Sequence, residues 1–84
     1  MLHRQAVYGC GEGLTPDVAA KLTRLSERFH SRLEMQIDGR RVPLDSLIGI
    51  LSVECPRGTR LTVIADGEDE SAAAEAVARA LEGA

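Results

Sequence analysis

The sequence predicts an α+β fold with the element order β-α-β-β-α-β-α, a sheet covered by helices on one face. Three observations carry this expectation. Apolar and polar residues alternate with a period of two in several short stretches, the pattern of half-buried strands. The residues Val18, Leu22, Leu25 and Phe29 form an apolar stripe at helical spacing, opened by Thr15-Pro16-Asp17. Each element has only one apolar side, so sheet and helices must cover one another.

The first strand reads Leu2, Arg4, Ala6 and Tyr8 alternating with His3, Gln5 and Val7. It ends at the glycine-broken stretch Gly9-Cys10-Gly11-Glu12-Gly13. Thr15 then offers a side-chain cap, Pro16 fits the first helical position, where an N–H has no partner to lose, and Asp17 complements the positive end of the helix. Lys21, Arg24, Glu27 and Arg28 face away from the apolar stripe. Leu33, Met35 and Ile37 alternate with Arg32, Glu34 and Gln36 in a second strand, and Asp38-Gly39 is a two-residue hairpin turn. Arg40, Arg41 and Val42 return. Pro43 has no N–H for a ladder, which sets this strand at a sheet edge or ends it. Asp45 and Ser46 offer caps for a short helix bearing Leu47, Ile48, Ile50 and Leu51, followed by the loop Glu54-Cys55-Pro56-Arg57-Gly58. Arg60 to Ala65 form a fourth strand with Leu61, Val63 and Ala65 on one face, and Asp66-Gly67 turns the chain. Glu68, Asp69 and Glu70 read as a solvated acidic start to the last helix, whose inner stripe is Ala73, Val77, Ala80 and Leu81.

Residues 1–84 make one domain, uninterrupted by linker, repeat or low-complexity tract. With 44% hydrophobic and 27% charged residues the balance is that of a globular chain. Tyr8 and Phe29 are the only aromatics, and 10 basic against 13 acidic side chains leave a net charge of −3. Both facts argue against direct nucleic-acid binding. There is no apolar run long enough to span a membrane and no apolar block of a secretory signal near Met1, so a cytoplasmic location is expected. Cys10 and Cys55 lie far apart and read as reduced thiols, with a disulfide or a metal site as the alternative. His3 and His30 add no metal-ligand spacing to them. No base–nucleophile pair or oxyanion motif is visible, so neither an enzyme nor a cofactor is expected.

The element order at this length resembles the histidine-containing phosphocarrier (HPr) family of the bacterial sugar phosphotransferase system. Gly13-Leu14 precedes the first helix and Ala19 follows at the family's spacing. Ser46-Leu47-Ile48-Gly49 resembles the family's regulatory-serine segment. Arg57-Gly58-Thr59 precedes the fourth strand, and Gly67-Glu68-Asp69-Glu70 opens the last helix. The resemblance covers the whole chain and implies an open-faced β-sandwich, an antiparallel four-stranded sheet with three helices on one face. The family's active segment reads Gly-Leu-His-x-Arg-Pro-Ala, and this chain reads Gly13-Leu14-Thr15-Pro16-Asp17-Val18-Ala19. Thr15 thus stands at the position of the phosphorylated histidine, Asp17 at that of the arginine and Val18 at that of the proline. A phosphothreonine ester is far more inert than a phosphoramidate, and an acid beside it repels phosphate where a cation would hold it. His3 and His30 do not stand at this helix start.

Ser46 matches the position that an ATP-dependent kinase phosphorylates in some family members. Members that lack the histidine and keep the serine, the catabolite-repression homologues, are the type this sequence resembles. Serine is also a preferred N-cap, and both readings of Ser46 stand. Leu47, Ile48 and Leu51 match the family's apolar docking patch. So short a helix cannot bury all its apolar residues, and partial exposure is expected. The resemblance therefore implies a regulatory or adaptor protein. Its partners would be proteins: a serine kinase of the HPr type, a transcriptional regulator or phosphotransferase components. It would act as a monomer or as a weak dimer formed through the fourth strand or the hairpin edge. The alternatives are a phosphotransferase-system carrier in the ordinary sense, or a small thiol- or metal-binding protein using Cys10 and Cys55.

Overall fold

A computed structural model describes residues 1–83. Seven elements follow in the expected order: β1 (Leu2–Val7), α1 (Pro16–Glu27), β2 (Arg32–Ile37), β3 (Arg40–Pro43), α2 (Leu47–Leu51), β4 (Arg60–Asp66) and α3 (Glu70–Glu82). The four strands form one sheet in the order β1-β4-β2-β3, and every neighbouring pair is antiparallel.

The register sorts side chains onto two faces. Ala6 lies opposite Leu61, Met35 opposite both Val63 and Val42, and Leu33 opposite Ala65. These residues face the helices and are buried with Leu22, Leu44, Ile50, Ala73, Val77 and Leu81. α3 packs on β1 and β4, while α1 packs on α2 and α3. The other face of the sheet carries His3, Gln5, Arg32, Gln36, Arg41 and Thr62. Ile64 also belongs to this polar face, yet it is buried, flanked in register by His3 on β1 and Glu34 on β2. Alternation alone does not foresee that burial, because the flanking strands β1 and β2 are remote from β4 in sequence.

Local chemistry sets the boundaries. Asp38 and Gly39 take φ of 51° and 81°, the two positive values that a tight hairpin turn of this twist requires. β3 lies at the sheet edge, where Pro43 needs no ladder donor. β4 has a strand on each side and offers no free edge, so within this sheet the edges open to strand pairing are β1 and the hairpin strand β3. α1 ends at Glu27, one residue short of Arg28 and two short of Phe29. The apolar stripe therefore outlasts the helix, and Phe29 packs against the core from the following turn.

None of the acidic residues Glu68, Asp69 and Glu70 at the start of α3 is buried, and Asp69 has a role beyond the helix start. Asp69 makes no side-chain cap to α3. Its carboxylate instead accepts from Ser31 Oγ at 2.5 Å and from the His30 backbone N–H at 2.9 Å. It thereby ties the α1–β2 turn to the β4–α3 turn.

Candidate functional site

Two helix starts hold the residues singled out by the sequence. At α1, Thr15 is extended (φ −108°, ψ 163°), and its Oγ1 accepts from the Val18 N–H at 3.3 Å. Its carbonyl accepts from Ala19 N–H at 2.9 Å. Pro16 begins the helix and Asp17 sits in its first turn, and all three residues are exposed. The Thr15 hydroxyl is thus the cap, and the carboxylate beside it opposes the approach of another anion.

The loop leading to Thr15 is held from below. Tyr8 is fully buried, and its hydroxyl donates to the carbonyls of Gly13 at 2.7 Å and Cys10 at 3.2 Å. Burial pushes the Tyr8 hydroxyl above its ordinary pKa, and the nearby Cys10 and Cys55 thiols push in the same direction. Gly9 donates its N–H to the Leu81 carbonyl at 2.9 Å. A β-carbon at Gly9 would lie 2.7 Å from the Glu82 carbonyl oxygen, so the loop presses on the C-terminal end of α3 as only glycine can. Tyr8 is the contributor that sequence reading missed. Its signal is a large aromatic with a polar tip directly before a glycine-rich loop that needs donors.

At α2, Ser46 Oγ accepts from the Gly49 N–H at 3.1 Å, and the Ser46 carbonyl accepts from Ile50 N–H at 3.0 Å. Asp45 is exposed, and Ser46 supplies the cap. The four apolar residues of α2 divide as the short helix demands. Ile50 is fully buried, whereas Leu47, Ile48 and Leu51 are 43%, 83% and 41% exposed. α2 packs against α1.

The remaining candidates lie elsewhere. His3 is exposed on the polar face of the sheet. His30 lies beyond the C-terminal end of α1, whose 12 residues make a helix about 18 Å long, and not at its start. Cys10 Sγ donates to the Ala80 carbonyl at 2.9 Å and also faces that of Leu81 at 3.4 Å. Cys55 is a buried free thiol whose pKa burial raises. Among the described residues, no three His, Cys, Asp or Glu side chains are grouped to hold a metal ion, and no helix is long and apolar enough to cross a membrane.

This arrangement has close counterparts. Residues 3–83 match the family model described as the PTS HPr component phosphorylation site. The chain is 38% identical over 66 residues to the HPr-like protein Crh of Bacillus subtilis, covering 79% of this chain and 78% of that protein. Among solved structures, the phosphocarrier protein HPr of Bacillus anthracis superposes with a TM-score of 0.88 at 28% identity, over 95% of each chain. Crh of Bacillus subtilis, reported as a dimer with a swapped domain, superposes with a TM-score of 0.80 at 31% identity, over 99% of this chain and 95% of that one. Fold, length and sequence agree along nearly the whole molecule, and the chain belongs to the HPr family of phosphocarrier proteins.

Proposed function

We propose that this chain is a regulatory adaptor of the HPr family that docks protein partners on the exposed face of α2, with Ser46 as its switch, and that it does not relay phosphate through histidine. It is a binding protein and not a catalyst, it works in the cytoplasm as a monomer or weak dimer, and its whole length is one HPr-like domain. Its partners are a serine kinase of the HPr type, a transcriptional regulator or phosphotransferase components.

The observation that carries this reading is the exposure of Leu47, Ile48 and Leu51 on a five-residue helix that Ser46 begins. Three apolar side chains in water beside one hydroxyl favour a partner surface that a phosphate can modulate. The start of α1 supports the second half of the reading, since Thr15 has no ring nitrogen and Asp17 places a negative charge in the first turn beside it.

A carrier in the ordinary sense is the second reading, favoured by a family model described by its phosphorylation site. The two separate under ATP and an HPr serine kinase. The adaptor reading expects one phosphoryl group on Ser46, none on Ser46→Ala, and different captured partners for wild type and Ser46→Asp. Absence of phosphate on Ser46 together with absence of captured partners removes it.

A further inference from the structure

Gly49 sits in α2 with an ordinary helical backbone, and it is absent from the positive-φ positions of the chain. Backbone conformation therefore does not require glycine here, and alanine is the better helix former. What distinguishes the position is space. A β-carbon on residue 49 would lie 3.0 Å from Ser46 Oγ and 3.3 Å from Ser46 Cβ. It would also meet Val42 Cγ1 at 3.4 Å. Val42 is buried in β3, so the added methyl has no room to retreat inward and is held against the hydroxyl.

We propose that Gly49 is a positioning residue for phosphorylation of Ser46, its missing side chain keeping the Ser46 hydroxyl open to the incoming phosphoryl group. This rests on the reading of Ser46 as a kinase target. In that reaction Ser46 Oγ gives its proton to a base of the kinase and forms a bond to the γ-phosphorus of ATP. The bond from that phosphorus to the β,γ-bridging oxygen breaks, and ADP leaves. Three phosphoryl oxygens then crowd around Oγ, in the volume that a residue-49 methyl would press upon. The Gly49 N–H, 3.1 Å from Oγ, holds the oxygen in place without covering it.

The test compares wild type, Gly49→Ala and the double variant Val42→Ala/Gly49→Ala as substrates of an HPr serine kinase with ATP, with circular dichroism melts alongside. Leu47, Ile48 and Leu51 are unaltered, so KM should stay near the wild-type value while kcat for Gly49→Ala falls at least about tenfold. Val42→Ala gives the methyl room and should restore part of kcat. It also removes buried carbon and loosens the fold, so that recovery cannot come from added stability. Equal kcat and KM for wild type and Gly49→Ala overturn the proposal, as does a double variant no faster than Gly49→Ala. Wild type that takes no phosphate on Ser46 overturns the underlying reading instead, which separates the two failures.

Discussion

The hydroxyl of Tyr8 donates to the carbonyl of Gly13 across five residues at 2.7 Å, from a side chain with no exposed surface. The residue that directly follows β1 thereby sets the height of the loop that delivers Thr15 to the start of α1. Tyr8→Phe keeps the ring in the core and removes only this tie and the one to the Cys10 carbonyl. Stability should fall by about 1–2 kcal/mol, measured by urea unfolding, because part-buried carbonyls lose their donor. Amide exchange in residues 10–14 should accelerate more than in the sheet.

Thr15 is expected to act through its cap. Thr15→Ala should cost about 1 kcal/mol in chemical denaturation, the usual loss of an N-cap hydroxyl. Thr15→His combined with Asp17→Arg replaces the hydroxyl by a ring nitrogen and the acid by a cation. Incubated with phosphoenolpyruvate and the first enzyme of the phosphotransferase system, that double variant should gain acid-labile phosphate.

Neighbouring isoleucines of α2 should behave oppositely. Ile50→Ala empties a fully buried site and should cost about 2–5 kcal/mol in urea unfolding. Ile48→Ala trims a side chain that is 83% exposed and should change stability by less than about 0.5 kcal/mol. The same Ile48→Ala change should weaken capture of partners and raise KM for the serine kinase, since exposed apolar area at an interface core carries binding.

Acid should weaken the fold partly through Asp69. The Ser31 hydroxyl first, then the His30 amide, hold its carboxyl below the ordinary value of 3.8. A depressed folded-state value means the stabilisation is present above the unfolded-state pKa and is lost as pH falls through the lower folded one. Melting temperature followed downward from about pH 5 should therefore drop more steeply for wild type than for Asp69→Asn. Equal slopes would show that the carboxylate does not hold these two turns together. Glu75, depressed chiefly by its hydrogen bond from Arg4, adds to the wild-type slope and remains in the variant.

Most of the fold could be read from local chemistry. The alternation of β1 and β2, the Asp38-Gly39 turn, the edge position implied by Pro43 and the caps at Thr15 and Ser46 each depend on residues within four positions of one another. Partial exposure of the apolar residues of α2 was legible too, since five residues cannot turn four side chains inward, and the structure adds that Ile50 is the one that is buried. Long-range closure was not legible. Asp69 reaches Ser31 across 38 residues, Ile64 is covered by strands remote in sequence, and the interior place of β4 follows only from the strand order. No short window of sequence contains both partners of such a contact. The crowding of Gly49 by Ser46 is local, and only the Val42 contact comes from another element.

The claim on which the account turns is that the α1 start caps a helix and passes no phosphate. Its most direct measurement is intact-mass spectrometry of the wild-type protein after incubation with phosphoenolpyruvate and the first enzyme of the phosphotransferase system, before and after mild acid. The account predicts an unchanged mass in both samples. A phosphoryl group that is present before acid, lost after it and passed on to a sugar permease would contradict it.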